Sequence, residues 1–256
     1  MPVYVFCMHW YKRVASQLHT HTHPPHTLQN NARRLVRQLE QAGVGGVCFE
    51  DKLFPKTNSF VNSEAQPLAD PIEFGLKIKA CKEAQRGEDF MVVARLESFI
   101  TGHGLESAVT RANIYRDHGA DAILCHSKIK DASEIEAFMN RWHDKTDCPV
   151  IIVPTTYPST TAEEIEDMGV STVIWANHSV RASIKAIQNV TKTIFEERSI
   201  ISTEGSDSSV PVKEIFRLQR QDLLSADEKI YLTQNATTTR TYSEEHYLQS
   251  KEEKST

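Results

Sequence analysis

Residues 50–60 read Glu50-Asp51-Lys52-Leu53-Phe54-Pro55-Lys56-Thr57-Asn58-Ser59-Phe60. Two acids, two lysines, a proline, an amide and hydroxyls within eleven residues suit the binding of a small anionic substrate, with a metal as a companion charge. The stretch follows a strand-like run, Gly45-Gly46-Val47-Cys48-Phe49, so its polar groups start at a strand's C-terminal end. A solvated charge and a turn-forming amide are the ordinary roles for Lys56 and Asn58. Pro55 and the phenylalanines on either side favour a segment that docks onto something, as a lid does.

Further polar residues stand just past other strand-like runs: Arg95 with Glu97, His126 with Ser127, Pro154 with Thr155, and Asn177 with His178. In α/β barrels this C-terminal rim is where active sites assemble. Arg95 lies within Val-Val-Ala-Arg-Leu-Glu, and a buried guanidinium needs a partner because an isolated buried charge is costly. One reading is an ion pair with Glu97 or Glu50. The other is a fork for phosphate or carboxylate oxygens. His126 is either a hydrogen-bonded core histidine or a donor to a transferring group.

The elements that would position these groups alternate regularly. Asn30 reads as the cap of a helix through Ala32, Leu35, Val36 and Leu39 to Gly43. Strand 46–50 follows, and Asp70-Pro71 opens a helix with proline at its first position. Strands 90–96, 122–126, 150–154 and 172–176 then alternate with helices 105–118, 132–142, 162–168 and 180–197, and a last helix spans 212–221. The strands are short, apolar and rich in Val and Ile, the pattern of a parallel sheet covered on both faces. Repeated strand–helix units give an α/β sheet or barrel with right-handed crossovers. Five strands fall short of the eight in a closed barrel. Residues 1–29 read as an atypical disordered segment, 30–198 as a partial (β/α) barrel, 199–232 as a linker with a C-terminal helical segment, and 233–256 as a disordered tail.

The 256 residues are 39% hydrophobic and 25% charged, as in a rather polar globular protein. A net charge of −5 argues against non-specific binding to nucleic acid, which needs a basic face. No run is long and apolar enough to span a bilayer, and the first ten residues lack a basic start and a cleavage site. Five dispersed cysteines fit reduced core thiols in a cytoplasmic protein. His19, His21, His23 and His26 match no standard metal spacing and read as an unstructured tract. There is no glycine-rich phosphate loop and no nucleophile elbow.

From about Asn31 to Leu232 the chain resembles the phosphoenolpyruvate mutase family of the isocitrate lyase superfamily. The resemblance is carried by EDKLFPKTNSF at 50–60, QPLAD at 66–70, KIKACK at 77–82, VARLESFI at 93–100, GADAILCHSK at 119–128, VIIVPT at 150–155, MGVSTVIWANH at 168–178 and VKEIFRLQR at 212–220. Lyases of the superfamily carry a catalytic cysteine in a Lys-[Lys/Arg]-Cys-Gly-His loop. Here the segment is Lys56-Thr57-Asn58-Ser59-Phe60, without cysteine, which points away from a lyase.

The resemblance implies a (β/α)₈ barrel, here lacking its first strands, with C-terminal helices exchanged between subunits of a homo-oligomer. It implies Mg²⁺, a small phosphorylated three-carbon acid as substrate, and interconversion of phosphoenolpyruvate and phosphonopyruvate, the C–P bond-forming step of phosphonate biosynthesis. On that basis Asn58, Arg95 and His126 hold the migrating phosphoryl group, Lys56 and Ser59 belong to the gating loop, and Glu50 supports the metal through water. The family's Asp-x-Asp metal motif has no counterpart ahead of the match, since no aspartate precedes Asp51. A phosphonopyruvate hydrolase is the alternative enzyme. A non-catalytic partial barrel that associates with full-length subunits is the alternative outside catalysis.

Overall fold

Apolar side chains at Ala32, Leu35, Val36 and Leu39 recur at helical spacing, and all four are buried. They lie on α1 (His26–Gln41). The helix starts ahead of Asn30, which therefore sits inside it and not at its cap. Past its end, Gly43 takes φ 73° and Val44 N–H donates to the Leu39 carbonyl at 3.0 Å, a close that glycine permits without strain. The computed structural model describes residues 26–56, 58, 65–143, 146–204 and 207–232. Of the segments expected to be disordered, residues 1–25, with His19, His21 and His23, and the tail 233–256 lie outside the described residues, whereas 26–29, with His26, belong to α1.

Five strands follow: β1 (Gly46–Glu50), β2 (Met91–Leu96), β3 (Ala122–Cys125), β4 (Val150–Ile152) and β5 (Thr172–Val173). All pairs are parallel, in the order β1-β2-β3-β4-β5. Between them run α2 (Pro71–Lys82), α3 (Gly104–Asp117), α4 (Ser133–Arg141) and α5 (Ala162–Asp167). Among the described residues the sheet has two edges, β1 and β5, and does not close into a barrel. Asp70 caps α2 by accepting from Ile72 and Glu73 N–H at 2.9 and 3.0 Å, with Pro71 at the first position. A capping box of Thr161 and Glu164 starts α5.

The period of two along each strand divides the side chains between two faces. Phe49, Val92, Ala94, Leu96, Ile123, Cys125, Val150, Ile152 and Val173 pack beneath the helices in the main core. Fully burying one such large apolar side chain is worth roughly 1.5–3 kcal/mol. The opposite face holds a smaller cluster of Leu124, Val153 and Ile174, with Cys48, Val93, Ile151 and Ala176 only partly buried. Two-sided cover was expected from the apolar strands. One face has it, and the other, with its smaller cluster, is the face on which Glu50 and Arg95 lie.

The chain divides into two compact units, residues 1–178 and 179–256. The helix expected to close the partial barrel, α6 (His178–Glu197), falls almost wholly in the second unit. The last expected helix, 212–221, is the shorter α7 (Val212–Leu218), and a further helix that was not expected, α8 (Gln221–Tyr231), follows where Arg220 adopts φ 55°. None of α6, α7 and α8 buries a side chain.

Candidate active site

The strand period that hides Phe49 on the helix side turns Glu50 to the opposite face, and Lys52 follows two residues on. Arg95 and Glu97 do the same past β2, and Leu124 and His126 past β3. The register places Glu50 opposite Arg95, and Arg95 opposite Leu124. Three neighbouring strand ends thus deliver two acids, two cations and an imidazole to one spot. Their backbone positions follow from β-pairing.

Arg95 is the centre of the contacts. Its Nε donates to Glu97 Oε1 at 2.6 Å, its Nη2 donates to His126 Nδ1 at 2.8 Å, and its Nη1 lies 3.3 Å from Glu50 Oε1. The two ion-pair readings of Arg95 hold together, since it meets both carboxylates. Lys52 Nζ reaches Glu97 Oε2 at 3.1 Å and Glu50 Oε2 at 3.7 Å. His126 Nδ1 also lies 3.1 Å from Glu97 Oε1. Lys52, Arg95, Glu97 and His126 are all buried. Lys56 stands at the rim with its ammonium 3.6 Å from Glu50 Oε2. Three cations therefore meet two carboxylates, an excess of positive charge that suits an anionic guest.

Surroundings decide the protonation of these groups. Burial pushes the Glu97 carboxyl up, but contact with His126 and the charges of Arg95 and Lys52 outweigh it and hold Glu97 well below the usual carboxylate range. Burial, then the Arg95 charge, holds His126 below the usual imidazole range, so it is neutral at pH 7. Cys48, on the same face one step before Glu50, is pushed up to about 12 by desolvation and is no nucleophile at neutral pH.

A second buried network braces the first. Asp51 points away from the cluster and accepts from Tyr115 Oη at 2.8 Å, Arg111 Nη1 at 3.1 Å and Glu97 N–H at 2.9 Å. It therefore ties α3 to the residue after Glu50 and to the backbone of Glu97. The segment that leaves Asp51 returns beside it. Leu53 N–H donates to the Pro67 carbonyl, Ala69 N–H donates to the Asp51 carbonyl, and Lys52 bridges Leu68 antiparallel. The Gln66 amide closes the neck by donating to the Leu53 carbonyl at 2.8 Å. The two ends of the charged segment, at 51–53 and 66–69, are thus pinned to each other beside the cluster.

Of the expected site residues, Glu50, Arg95 and His126 come together and Lys56 joins them at the rim. Asn58 is exposed. Ser59 lies outside the described residues. Along the rest of the rim, Thr155 is half-buried and Asn177 and His178 are exposed. Sequence reasoning gave no site role to Lys52, and it missed Asp51, Arg111 and Tyr115. For Lys52 a signal existed: it continues the alternation of Cys48 and Glu50 onto the same face. The bracing residues had none, because Arg111 and Tyr115 are four apart on an amphipathic helix and read as surface and core.

The chain matches the family model described as phosphoenolpyruvate phosphomutase over residues 26–195. It is similar to a phosphoenolpyruvate phosphomutase of Tetrahymena pyriformis, with 52% identity over 203 residues, covering 79% of this chain and 66% of the relative. It thus spans a little under two thirds of that relative's length. Among solved structures it is similar to a phosphoenolpyruvate phosphomutase from Streptomyces platensis subsp. rosaceus, with TM-score 0.76 and 40% identity over 80% of this chain and 70% of the other. A phosphonopyruvate hydrolase in complex with oxalate and Mg²⁺ is similar at TM-score 0.73 and 37% identity, covering 80% of this chain and 69% of the other.

Proposed function

We propose a phosphoryl-moving reaction for this chain from one premise: it belongs to the phosphoenolpyruvate phosphomutase family. The reaction is the interconversion of phosphoenolpyruvate and phosphonopyruvate. The ester O–P bond breaks, a C–P bond forms at the methylene carbon, and no other reactant enters. The observation that carries this reading is the buried meeting of Arg95, His126 and Lys52 at three adjacent strand ends, beside the neck of a charged excursion.

A phosphoryl group in transit resembles metaphosphate, with charge spread over its oxygens. It asks for fixed donors and exclusion of water more than for covalent chemistry. Arg95 supplies a cation whose orientation Glu97 and Glu50 hold in advance. His126 supplies a neutral imidazole. Lys56 and Asn58, with Ser59, ride the excursion and close over the guest, Asn58 and Lys56 adding donors on closure. Resemblance assigns Asn58, Arg95 and His126 to the phosphoryl group, and the cluster's excess positive charge supports that assignment.

Mg²⁺ when bound would offset the charge of an enolate oxygen. Among the described residues no group of three or more His, Cys, Asp or Glu side chains could hold a metal ion. Glu50 already faces Arg95, Lys52 and Lys56, and a hard divalent ion needs several oxygens. The residues described do not fit the ion by themselves, and no step here depends on it.

A homo-oligomer formed by exchange of C-terminal helices is supported by α6–α8, where Ile187 is 65% and Phe195 72% exposed. No helix among the described residues is long and apolar enough to cross a membrane. A cytoplasmic setting accords with the four cysteines described, all of which are free.

Phosphorus NMR of the full chain with phosphonopyruvate and Mg²⁺ tests the reading. Phosphoenolpyruvate is the expected product. Inorganic phosphate instead would assign the chain to hydrolysis, and an unchanged spectrum would leave it a non-catalytic partial barrel that associates with longer subunits.

A further inference from the structure

Helix α2 carries three lysines, and two of them meet carboxylates. Lys79 Nζ lies 4.0 Å from Glu83 Oε1, and Lys82 Nζ lies 2.8 Å from Asp121 Oδ2. Lys77 is placed differently. It follows Phe74 by three residues and precedes Cys81 by four, so it shares the face that α2 buries. The residue is half-buried there. Its ammonium stands over two rings, 4.4 Å from the centroid of Phe49 and 5.5 Å from that of Phe74. Among the described residues no carboxylate and no hydrogen-bond acceptor meets it.

An aromatic face attracts a cation, but it does not return the hydration that the ammonium gives up. Burial is the largest influence on this amine, and the charge of Lys56 acts in the same direction. Cys81 and Glu50 oppose them without outweighing them, and Lys77 is brought down to about 8. A solvated lysine has an ordinary value of about 10.4. Desolvation against apolar surface is one of the ways in which a lysine becomes a nucleophile.

We propose that Lys77 is a covalent modification site, a nucleophilic amine that accepts an acyl group from an acyl phosphate or an acyl thioester. The amine lone pair attacks the acyl carbonyl carbon, and an N–C bond forms. The C–O bond to phosphate, or the C–S bond to the thiol, breaks, and its electron pair leaves with the phosphate or thiolate. The amine's proton passes to water. The product is a neutral amide, which a seat of two rings without a counter-ion suits better than the ammonium it replaces. Lys77 stands with Phe49 on the helix side of β1, and the proposal does not depend on the phosphoryl reaction.

The test incubates the full folded chain at pH 7.5 with acetyl phosphate in one arm and an acetyl thioester in the other. Peptide mass spectrometry follows acetylation lysine by lysine, and the same chain unfolded in guanidinium chloride is the reference. Lowering the amine by more than two pH units leaves roughly 100-fold more of it unprotonated, and its weaker nucleophilicity takes back about tenfold. Lys77 is therefore expected to react about tenfold faster in the folded chain than in the unfolded one, with a rate that levels off above about pH 8. Lys79, exposed on the same helix, is expected to gain nothing from folding. Reaction in one arm alone names the donor. A Lys77 rate no higher in the folded chain in either arm overturns the proposal. So does a rate that climbs through pH 10 without levelling, or a gain that Lys79 shares.

Discussion

Glu97 and Asp51 are both fully buried carboxylates, joined by a hydrogen bond from the backbone of one to the side chain of the other, and their surroundings drive them in opposite directions. Glu97 is raised by burial, but its hydrogen bond with His126, then the charges of Arg95 and Lys52, hold it far below its ordinary range. Asp51 has Arg111, a phenol and a backbone amide, and burial raises it despite all three. Equal burial therefore does not mean equal ionisation. Hydrogen bonds and charges together outweigh burial at Glu97 and fail to at Asp51, which separates a group on the anion-binding side from one that braces the fold.

The strongest way to break this contrast is to remove the cation at its centre. Arg95→Ala removes the guanidinium that meets both Glu97 and Glu50. Loss of one partner from a buried pair costs roughly 3–5 kcal/mol, readable in urea denaturation, and turnover of phosphonopyruvate is expected to vanish. Kinetics like those of the native chain would remove Arg95 from the site. Tyr115→Phe probes the bracing side. It deletes one donor to Asp51 and is expected to cost about 1–3 kcal/mol while sparing the Arg95 contacts. A loss as large as that of Arg95→Ala would show that the two networks are one.

The smallest effect is in the pH dependence. His126 and Glu97 are both depressed in the folded chain, so between their folded and unfolded values the unfolded state binds more protons. Stability from His126 is then lost as pH falls below about 6.5, its ordinary value, and stability from Glu97 is lost below about 4.5. Asp51, being raised, acts with the opposite sign and gains as pH falls through its window. Denaturation between pH 7.5 and 5.5 is expected to show falling stability, with a slope of at most about 1.4 kcal/mol per pH unit from one group. His126→Gln should flatten that slope, and an unchanged slope would mean that the imidazole is not held neutral.

Much of this was legible in the chain. Short Val- and Ile-rich runs gave the five strands, and Asp70-Pro71 gave the start of α2, because local chemistry determines both. Glu50, Arg95 and His126 were legible because each ends a strand, and strand ends meet when strands pair in parallel. Their mutual contacts were not, since register decides whether Arg95 faces Leu124 or misses it. The bracing of Asp51 by Tyr115, sixty-four residues away, has no local trace. The start of α8 after Arg220 carries neither glycine nor proline, so this second C-terminal helix had no punctuation to announce it.

The pinned neck of residues 51–53 and 67–69 has one more consequence. Its hydrogen bonds are between backbone groups, apart from the Gln66 amide, and so they are largely indifferent to what the intervening residues are. The excursion is in effect a cassette. Its length and chemistry can drift over generations, or be exchanged for another by grafting, while the sheet below stays in register and the choice of what is allowed above it changes.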